Sequence, residues 1–463
     1  MSDDEFDVVV IGAGPAGEVC AGRLADNGMS VALVESQLVG GECSYYACMP
    51  SKALLRPAQV LAEARRVPGA AQALAGELDV AAVLYRRDQI VHGLDDQAQL
   101  PWLDERGIEL VRGHGRIESE RAVGVGERLL RASKAVVLAT GSAAVVPPIP
   151  GLEDSHAWSN REVSTARAIP RSLLVLGGGV VGVEMAQAYA TLGAQVSIVE
   201  AAQRLLAGEE QFASEQVRDA LESAGVNVLT GVRASAVHRD PKTGQLTLEL
   251  SDGRSLTGEQ LLVAVGRRAR TEELGLRELG LQPDGYVEVN DTMQVPGHDW
   301  LYAIGDVNGR ALLTHMGKYQ GRLAAEHILG RAGGTSIPRS DGSRSPRVTF
   351  TEPQVAAVGH TLQSASEAGV NARALDRPTS STAGASFIGH DTPGTCRLVI
   401  DQDREVIVGA TFTGVDVAES LHAATIAILG EVPLRSLAHA VPCFPTRSEV
   451  WLGLLEEYEG PGR

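Results

Sequence analysis

Two cysteines with four residues between them stand in the run Gly40-Gly41-Glu42-Cys43-Ser44-Tyr45-Tyr46-Ala47-Cys48-Met49-Pro50-Ser51-Lys52. Two nearby thiols can open and close a disulfide and so pass electrons in pairs. A regular helix would separate them by about 7.5 Å along its axis, whereas a disulfide needs Cα atoms roughly 4.4–6.8 Å apart. The segment must be a distorted turn if the sulfurs bridge, and Gly40, Gly41 and Pro50 are compatible with one. Five cysteines in 463 residues is a low, odd number. A large chain in a reducing compartment rarely uses structural disulfides. The pair therefore reads as redox-active, against the plainer reading of two small buried residues.

Upstream lies a unit able to hold the partner of such a pair. Residues 6–11 are apolar and strand-like, followed by Gly12-Ala13-Gly14-Pro15-Ala16-Gly17, a helix to about Asn27, and the strand 31–35 ending in Glu35. This is a βαβ dinucleotide fingerprint. Gly12 permits a tight turn, Gly14 lets the backbone approach a pyrophosphate, Gly17 lets helix and strand pack closely, and Glu35 accepts from a ribose. The pattern recurs at residues 173–200, with Gly177, Gly179 and Gly182 in the loop and Glu200 closing the second strand. In both copies the acid falls 23 residues beyond the first glycine. One such loop is weak evidence, but two in register predict two bound dinucleotides. Glu200 favours NADH, because a carboxylate repels the 2′-phosphate of NADPH. Arg204 leaves two readings, a phosphate ligand or a solvated helix charge.

The elements that must position these residues read as α/β. A helix is expected over about 79–106, and strands over 135–138, 261–265 and 301–303, the first two running into the turns Thr140-Gly141 and Gly266-Arg267 and the third leading to Gly305-Asp306. Residues 331–346 form a Gly/Ser/Pro-rich linker. Beyond it, short strands at 347–350, 396–400 and 407–413 and a helix near 417–429 suggest a separate α+β domain. The formal net charge of −17 disfavours nucleic acid and anionic membranes. The acidic start lacks the basic region of a secretory signal, and no apolar run is long enough to span a bilayer. A cytoplasmic protein with a small-molecule partner is expected.

Taken in order, these motifs resemble the pyridine nucleotide–disulfide oxidoreductases, the family of dihydrolipoyl dehydrogenase, glutathione and mycothione reductases and mercuric reductase. The resemblance spans nearly the whole chain and continues into Pro445-Thr446-Arg447-Ser448-Glu449. It implies an FAD domain over 1–145 and 272–345, interrupted by an NAD(P)-binding domain over 146–271, both Rossmann-like. A C-terminal α+β dimerisation domain over 346–463 would form a homodimer. It also implies roles. Cys48 would face the flavin and Cys43 attack the substrate, with a thiol pKa lowered by a helix N-terminus. Lys52 and Glu184 would pair beside the flavin. Asp306 would meet the ribityl or phosphate side of FAD. Gly41 and His315 would line the flavin, although a core role suits His315 as well.

The sequence departs from that family at one position. Thiol-reducing members carry a His-Pro step near the C-terminus, with a Glu five residues after the His. Here Glu449 remains, but Phe444 stands in the histidine's place. Phenylalanine moves no proton, and a general acid–base contributes roughly 10²–10⁴-fold. His439 is a possible substitute, and Cys443 either a third thiol or a small buried residue. Tyr45 and Tyr46 either pack as core or narrow the substrate entry. The expectation is an FAD-dependent NAD(P)H oxidoreductase, with NADH favoured. It would pass hydride to flavin and on to the disulfide or to a quinone, metal-ion or unusual disulfide acceptor. Dihydrolipoyl dehydrogenase is the alternative, and a flavin-bearing sensor a more distant one.

Overall fold

The computed structural model describes residues 3–331, 339, 341–389 and 392–459. The linker expected at 331–346 lies in part outside them. The chain divides into two compact units. One comprises Met1–Pro50, Asp88–Val145 and Arg267–Ser343, and the other Ser51–Arg87, Val146–Gly266 and Arg344–Arg463.

The first unit is built on a sheet whose parallel strands run in the order Glu109–Arg112, Val31–Glu35, Asp3–Ile11, Arg128–Leu138. Leu301–Ala303 also pairs in parallel with Arg128–Leu138. The hairpin Gly115–Ser119/Ala122–Val125 extends the sheet antiparallel to Arg128–Leu138. The central strand reads Val8, Val9, Val10, Ile11, each at most 3 % exposed. Such uninterrupted apolar runs belong to parallel strands covered on both faces. One face packs on the helices Pro15–Ala25 and Thr314–Ile328.

The second unit holds a four-stranded parallel sheet in the order Asn227–Thr230, Gln195–Glu200, Ser172–Leu176, Gln260–Val263. An antiparallel three-stranded sheet, Ala234–Arg239, Leu246–Leu250 and Ser255–Gly258, accompanies it. The C-terminal block is an antiparallel sheet in the order Arg347–Thr349, Gln354–Gly359, Val406–Gly414, Thr395–Asp401, Ala372–Pro378. The helices Leu421–Leu429 and Val450–Glu459 share its core.

Two expectations change here. The stretch 79–106 is not one helix but Val80–Ile90, two single 3₁₀ turns and the short helix Leu100–Asp104. His92, Gly93 and Leu94 all take positive φ, which an α-helix cannot accommodate. Residues 51–87, drawn with the first domain from the sequence, pack in the second unit. Leu54, Leu55, Val83 and Leu84 share a core with Leu173, Val175 and Val183. The buried Arg87 donates to the carbonyls of Ser164 at 2.6 Å and Ala166 at 2.8 Å.

Candidate active site

The two glycine loops are built alike. Gly12 and Gly177 take φ of 108° and 107°, a region open to glycine and strained for other residues. A Cβ on Gly12 would lie 2.3 Å from the carbonyl oxygen of Ala139, and one on Gly177 2.4 Å from that of Ala264. A Cβ on Gly17 or Gly182 would sit 1.9 Å from the carbonyl oxygen of Gly12 or Gly177. Around Gly14 and Gly179 the space is open, with nothing within 4 Å of a built Cβ. These two glycines begin the helices Pro15–Ala25 and Val180–Thr191, and neither offers a side-chain cap. Helix N-termini leave unsatisfied N–H groups that suit phosphate. An open approach at uncapped helix starts therefore fits a pyrophosphate at each loop.

Glu35 Oε2 accepts from Ala13 N at 2.8 Å and its Oε1 from Gln37 N at 2.7 Å. Glu200 Oε2 accepts from Gly178 N at 2.5 Å and its Oε1 from Ala202 N at 2.6 Å. Both carboxylates are thus fixed at the strand ends where a ribose would lie. Arg204 donates Nη1 to Glu209 O at 2.8 Å and Nη2 to Ala207 O at 2.7 Å.

The dithiol segment is seated directly on the first loop. Gly40 N donates to Ala13 O at 2.8 Å, and a Cβ on Gly41 would meet Gly14 Cα at 2.9 Å. The helix Gly41–Tyr45 ends at Tyr46, with φ −131° and ψ −2°, and a second helix, Cys48–Arg66, begins two residues on. The helix thus breaks between the two cysteines. The two sulfurs converge on one hydroxyl. Thr314 Oγ1 donates to Cys43 Sγ at 3.1 Å and lies 3.3 Å from Cys48 Sγ. The lowering of thiol pKa expected at a helix start is not found at Cys43. Hydrogen bonding to the Cys48 sulfur pushes the Cys43 thiol far up, burial adds to this, and Thr314 and Lys318 oppose it only in part.

Asp306 accepts from Ser142 Oγ, and Arg267 Nε donates to the same hydroxyl at 2.7 Å. Burial raises the Asp306 pKa against the opposing Ser142 hydrogen bond and Arg267 charge. Glu42, beside Cys43 in sequence, accepts from Arg270 Nη2 at 3.0 Å. Thr140 Oγ1 donates to Arg270 O at 2.8 Å, and Arg270 N donates to Gly141 O at 3.1 Å. Gly305, with φ 74°, donates its N–H to the buried Gln320 at 2.7 Å. Gly266 has φ 141° and open space around it. Thr314, Glu42, Arg270 and Ser142 carry much of this network, and sequence reasoning assigned none of them a role.

Four residues after Cys48 on the same helix, Lys52 Nζ pairs with Glu184 Oε2 at 2.7 Å. Glu184 is 3 % exposed, and its other oxygen accepts from Phe350 N at 2.8 Å. His315 is exposed, so it has no core role. Tyr45 is buried and packs under Gly40, which settles it as core, while Tyr46 is half-buried.

At the C-terminal end Phe444 is 79 % exposed and Cys443 is also exposed, contrary to a small buried role. Glu449 accepts from Thr446 N at 2.6 Å and from Ala383 N at 3.2 Å. It closes a capping box at the start of the final helix. His439 is exposed beside the short helix Leu434–Leu437.

Comparison with known proteins agrees with this architecture. Residues 6–321 match the family model described as pyridine nucleotide-disulphide oxidoreductase, and residues 345–454 match that family's dimerisation domain. The chain is 33 % identical to dihydrolipoyl dehydrogenase of Thermus scotoductus, over 98 % of this chain and 97 % of that protein. It is 28 % identical to mercuric reductase of Staphylococcus aureus, over 96 % of this chain and 81 % of that protein. Among solved structures, the Cu(II) complex of the HOCl-induced flavoprotein disulfide reductase RclA from Escherichia coli superposes with a TM-score of 0.86 at 24 % identity, covering 98 % of this chain and 99 % of that one. Two glycine-loop domains, a thiol pair seated on the first loop and a matched dimerisation domain place the chain in one family: it is an FAD-dependent pyridine nucleotide-disulphide oxidoreductase.

Proposed function

We propose that this enzyme is a homodimeric, cytoplasmic NADH oxidoreductase whose physiological acceptor is not the usual dithiol substrate of its family. The observation that carries this reading is the C-terminal loop. Phe444, 79 % exposed, stands where a proton-carrying histidine is expected, and Glu449 is engaged by two backbone N–H groups. A quinone or a metal ion as substrate can receive electrons without thiol–disulfide exchange and so without such a histidine, and an unusual disulfide would have to take its protons from solvent or from its own groups.

When bound, the flavin and the reduced nicotinamide supply the hydride chemistry. The chain's residues hold charge and protons around it. Cys48 is the sulfur assigned to the flavin side and Cys43 the one assigned to the acceptor, and hydrogen bonding to Cys48 together with burial raises the Cys43 thiol. The Thr314 hydroxyl keeps the two sulfurs in one hydrogen-bonded group. Lys52, fixed by the buried Glu184, would stand beside the flavin as a positive charge and favour negative charge there. Asp306 and Arg267, joined through Ser142, serve the FAD side, as do Gly12, Gly14, Gly17, Glu35, Gly41, Thr140, Gly141 and Gly305. Gly177, Gly179, Gly182, Glu200 and Gly266 serve the nicotinamide nucleotide. The preference for NADH is supported by Glu200 at the ribose position and by Arg204, which spends two donors on main-chain carbonyls.

The second reading is dihydrolipoyl dehydrogenase, favoured by relatives of that name at 31–33 % identity over 96–98 % of this chain. Steady-state NADH oxidation against quinones, metal ions and disulfides, run beside dihydrolipoamide with NAD⁺, separates the two. The proposal expects the quinone, metal or unusual-disulfide arm to exceed the dihydrolipoamide arm by at least tenfold in kcat/KM. Brisk dihydrolipoamide turnover with weak turnover elsewhere would establish the second reading instead.

A further inference from the structure

Residues 350–353 connect the strands Arg347–Thr349 and Gln354–Gly359, and side chains from two helices grip Phe350 and Glu352. From Val180–Thr191, Glu184 Oε1 accepts from Phe350 N at 2.8 Å. One turn further, Gln187 Oε1 accepts from Glu352 N at 2.7 Å, and its Nε2 donates to Glu352 O at 3.0 Å. From Cys48–Arg66, Gln59 Nε2 donates to Phe350 O at 2.8 Å, and Arg66 pairs with the Glu352 carboxylate. All four main-chain polar groups of Phe350 and Glu352 are therefore taken by side chains rather than by sheet partners.

This grip fixes a particular ring. Lys52 Nζ lies 4.9 Å from the centroid of Phe350, within the range of a cation–π contact. The carboxylate that accepts the Phe350 N–H through one oxygen holds Lys52 through the other. The ammonium is thus located from two directions, by a buried anion and by an aromatic face, and both are tied to the same short connection. We infer that Phe350 is a positioning residue for Lys52, held in register by Gln187 and Gln59. The inference rests on the proposed placement of Lys52 as the charge beside the flavin. It adds that the C-terminal block supplies part of the environment that sets that charge.

The test is the midpoint potential of the bound flavin in the holoenzyme, measured by dye equilibration and accompanied by thermal unfolding. Lys52→Met is the reference and should lower the potential. Phe350→Leu, similar in bulk but without a π face, should shift the oxidised-to-reduced equilibrium in the same direction by roughly two- to tenfold. Phe350→Tyr should restore it. Gln187→Leu, which leaves the ring in place but removes its restraint, should shift it the same way by less. This variant keeps the inference testable if Phe350→Leu folds poorly. A wild-type potential in both Phe350→Leu and Gln187→Leu, with Lys52→Met shifted, would overturn the inference and leave the role of Lys52 standing. An unshifted Lys52→Met would remove that role and the inference together.

Discussion

Glu18 sits one turn into the helix Pro15–Ala25, beyond the open Gly14. Burial raises its carboxyl from an ordinary 4.5 to about 7, with Glu35 adding to the shift and the Lys318 ammonium opposing it. A carboxyl with a raised folded-state pKa favours the folded protein when protonated. Its stabilising contribution is full below pH 4.5 and is lost as pH rises through about 7. At pH 8 the charged group therefore costs stability, at most about 3 kcal/mol from the size of the shift. Glu18→Gln keeps the shape without the charge. It should raise the thermal midpoint at pH 8 by a few degrees and leave it nearly unchanged at pH 4.5. Equal midpoints at pH 8 would show that the carboxylate finds solvent or a cation there. The residue scale also shows why Thr314 was not legible in the sequence. A threonine at a helix start reads as a cap, and its contact with both sulfurs depends on residues some 270 positions away.

At the scale of elements, the capping box around Glu449 governs what one substitution can recover. The box joins Thr446 and Glu449 at the entrance to Val450–Glu459. The 3₁₀ segment Ala383–Ile388 lies against it so closely that a Cβ on Gly384 would approach Thr446 C to 2.2 Å. A histidine at 444 would find its expected carboxylate partner already accepting from Thr446 N and Ala383 N. Phe444→His should therefore raise dihydrolipoamide turnover by less than tenfold, well short of the roughly 10²–10⁴ of a positioned general acid–base. A gain of a hundredfold or more would mean that Glu449 reorients readily and that the pocket has otherwise kept its thiol chemistry. Elements with strong local signals were legible in advance. The two βαβ units were, because apolar strands, glycine loops and terminal acids each constrain the backbone. The strands Gln354–Gly359 and Ala372–Pro378 were not. The first carries Gly359 at its end, and the second mixes three charged residues with three apolar ones, without strict alternation, before Pro378. Their pairing is decided by the neighbouring strands rather than by their own composition. The single helix read over 79–106 failed for a related reason, since the positive φ at His92 and Leu94 has no marker in side-chain periodicity.

At the scale of the whole molecule, the three most exposed large apolar side chains among the described residues lie on the block that matches the dimerisation domain, and Ile426 joins them there. Phe387 is 71 %, Val441 77 %, Phe444 79 % and Ile426 56 % exposed. Single exposed apolar side chains are ordinary; several on one matched interface domain point to a covered face. Ile426 is the most telling. Its helix, Leu421–Leu429, buries Leu421, Ala424, Thr425, Ala427 and Ile428 in the core and leaves Ile426 outward. Two copies each carrying a net −17 repel, so their association must be driven by apolar contact and should tighten as salt screens the charge. Sedimentation of the holoenzyme should show a dimer, and raising salt from 50 to 300 mM should strengthen it. Ile426→Lys should weaken it by at least about tenfold, near 1.4 kcal/mol, while flavin content and the thermal midpoint of the protomer stay close to wild type. A dimer of undiminished strength in Ile426→Lys would place the interface away from this helix. A wild-type monomer at micromolar concentration would mean that the exposed Phe444 loop faces solvent in the working enzyme.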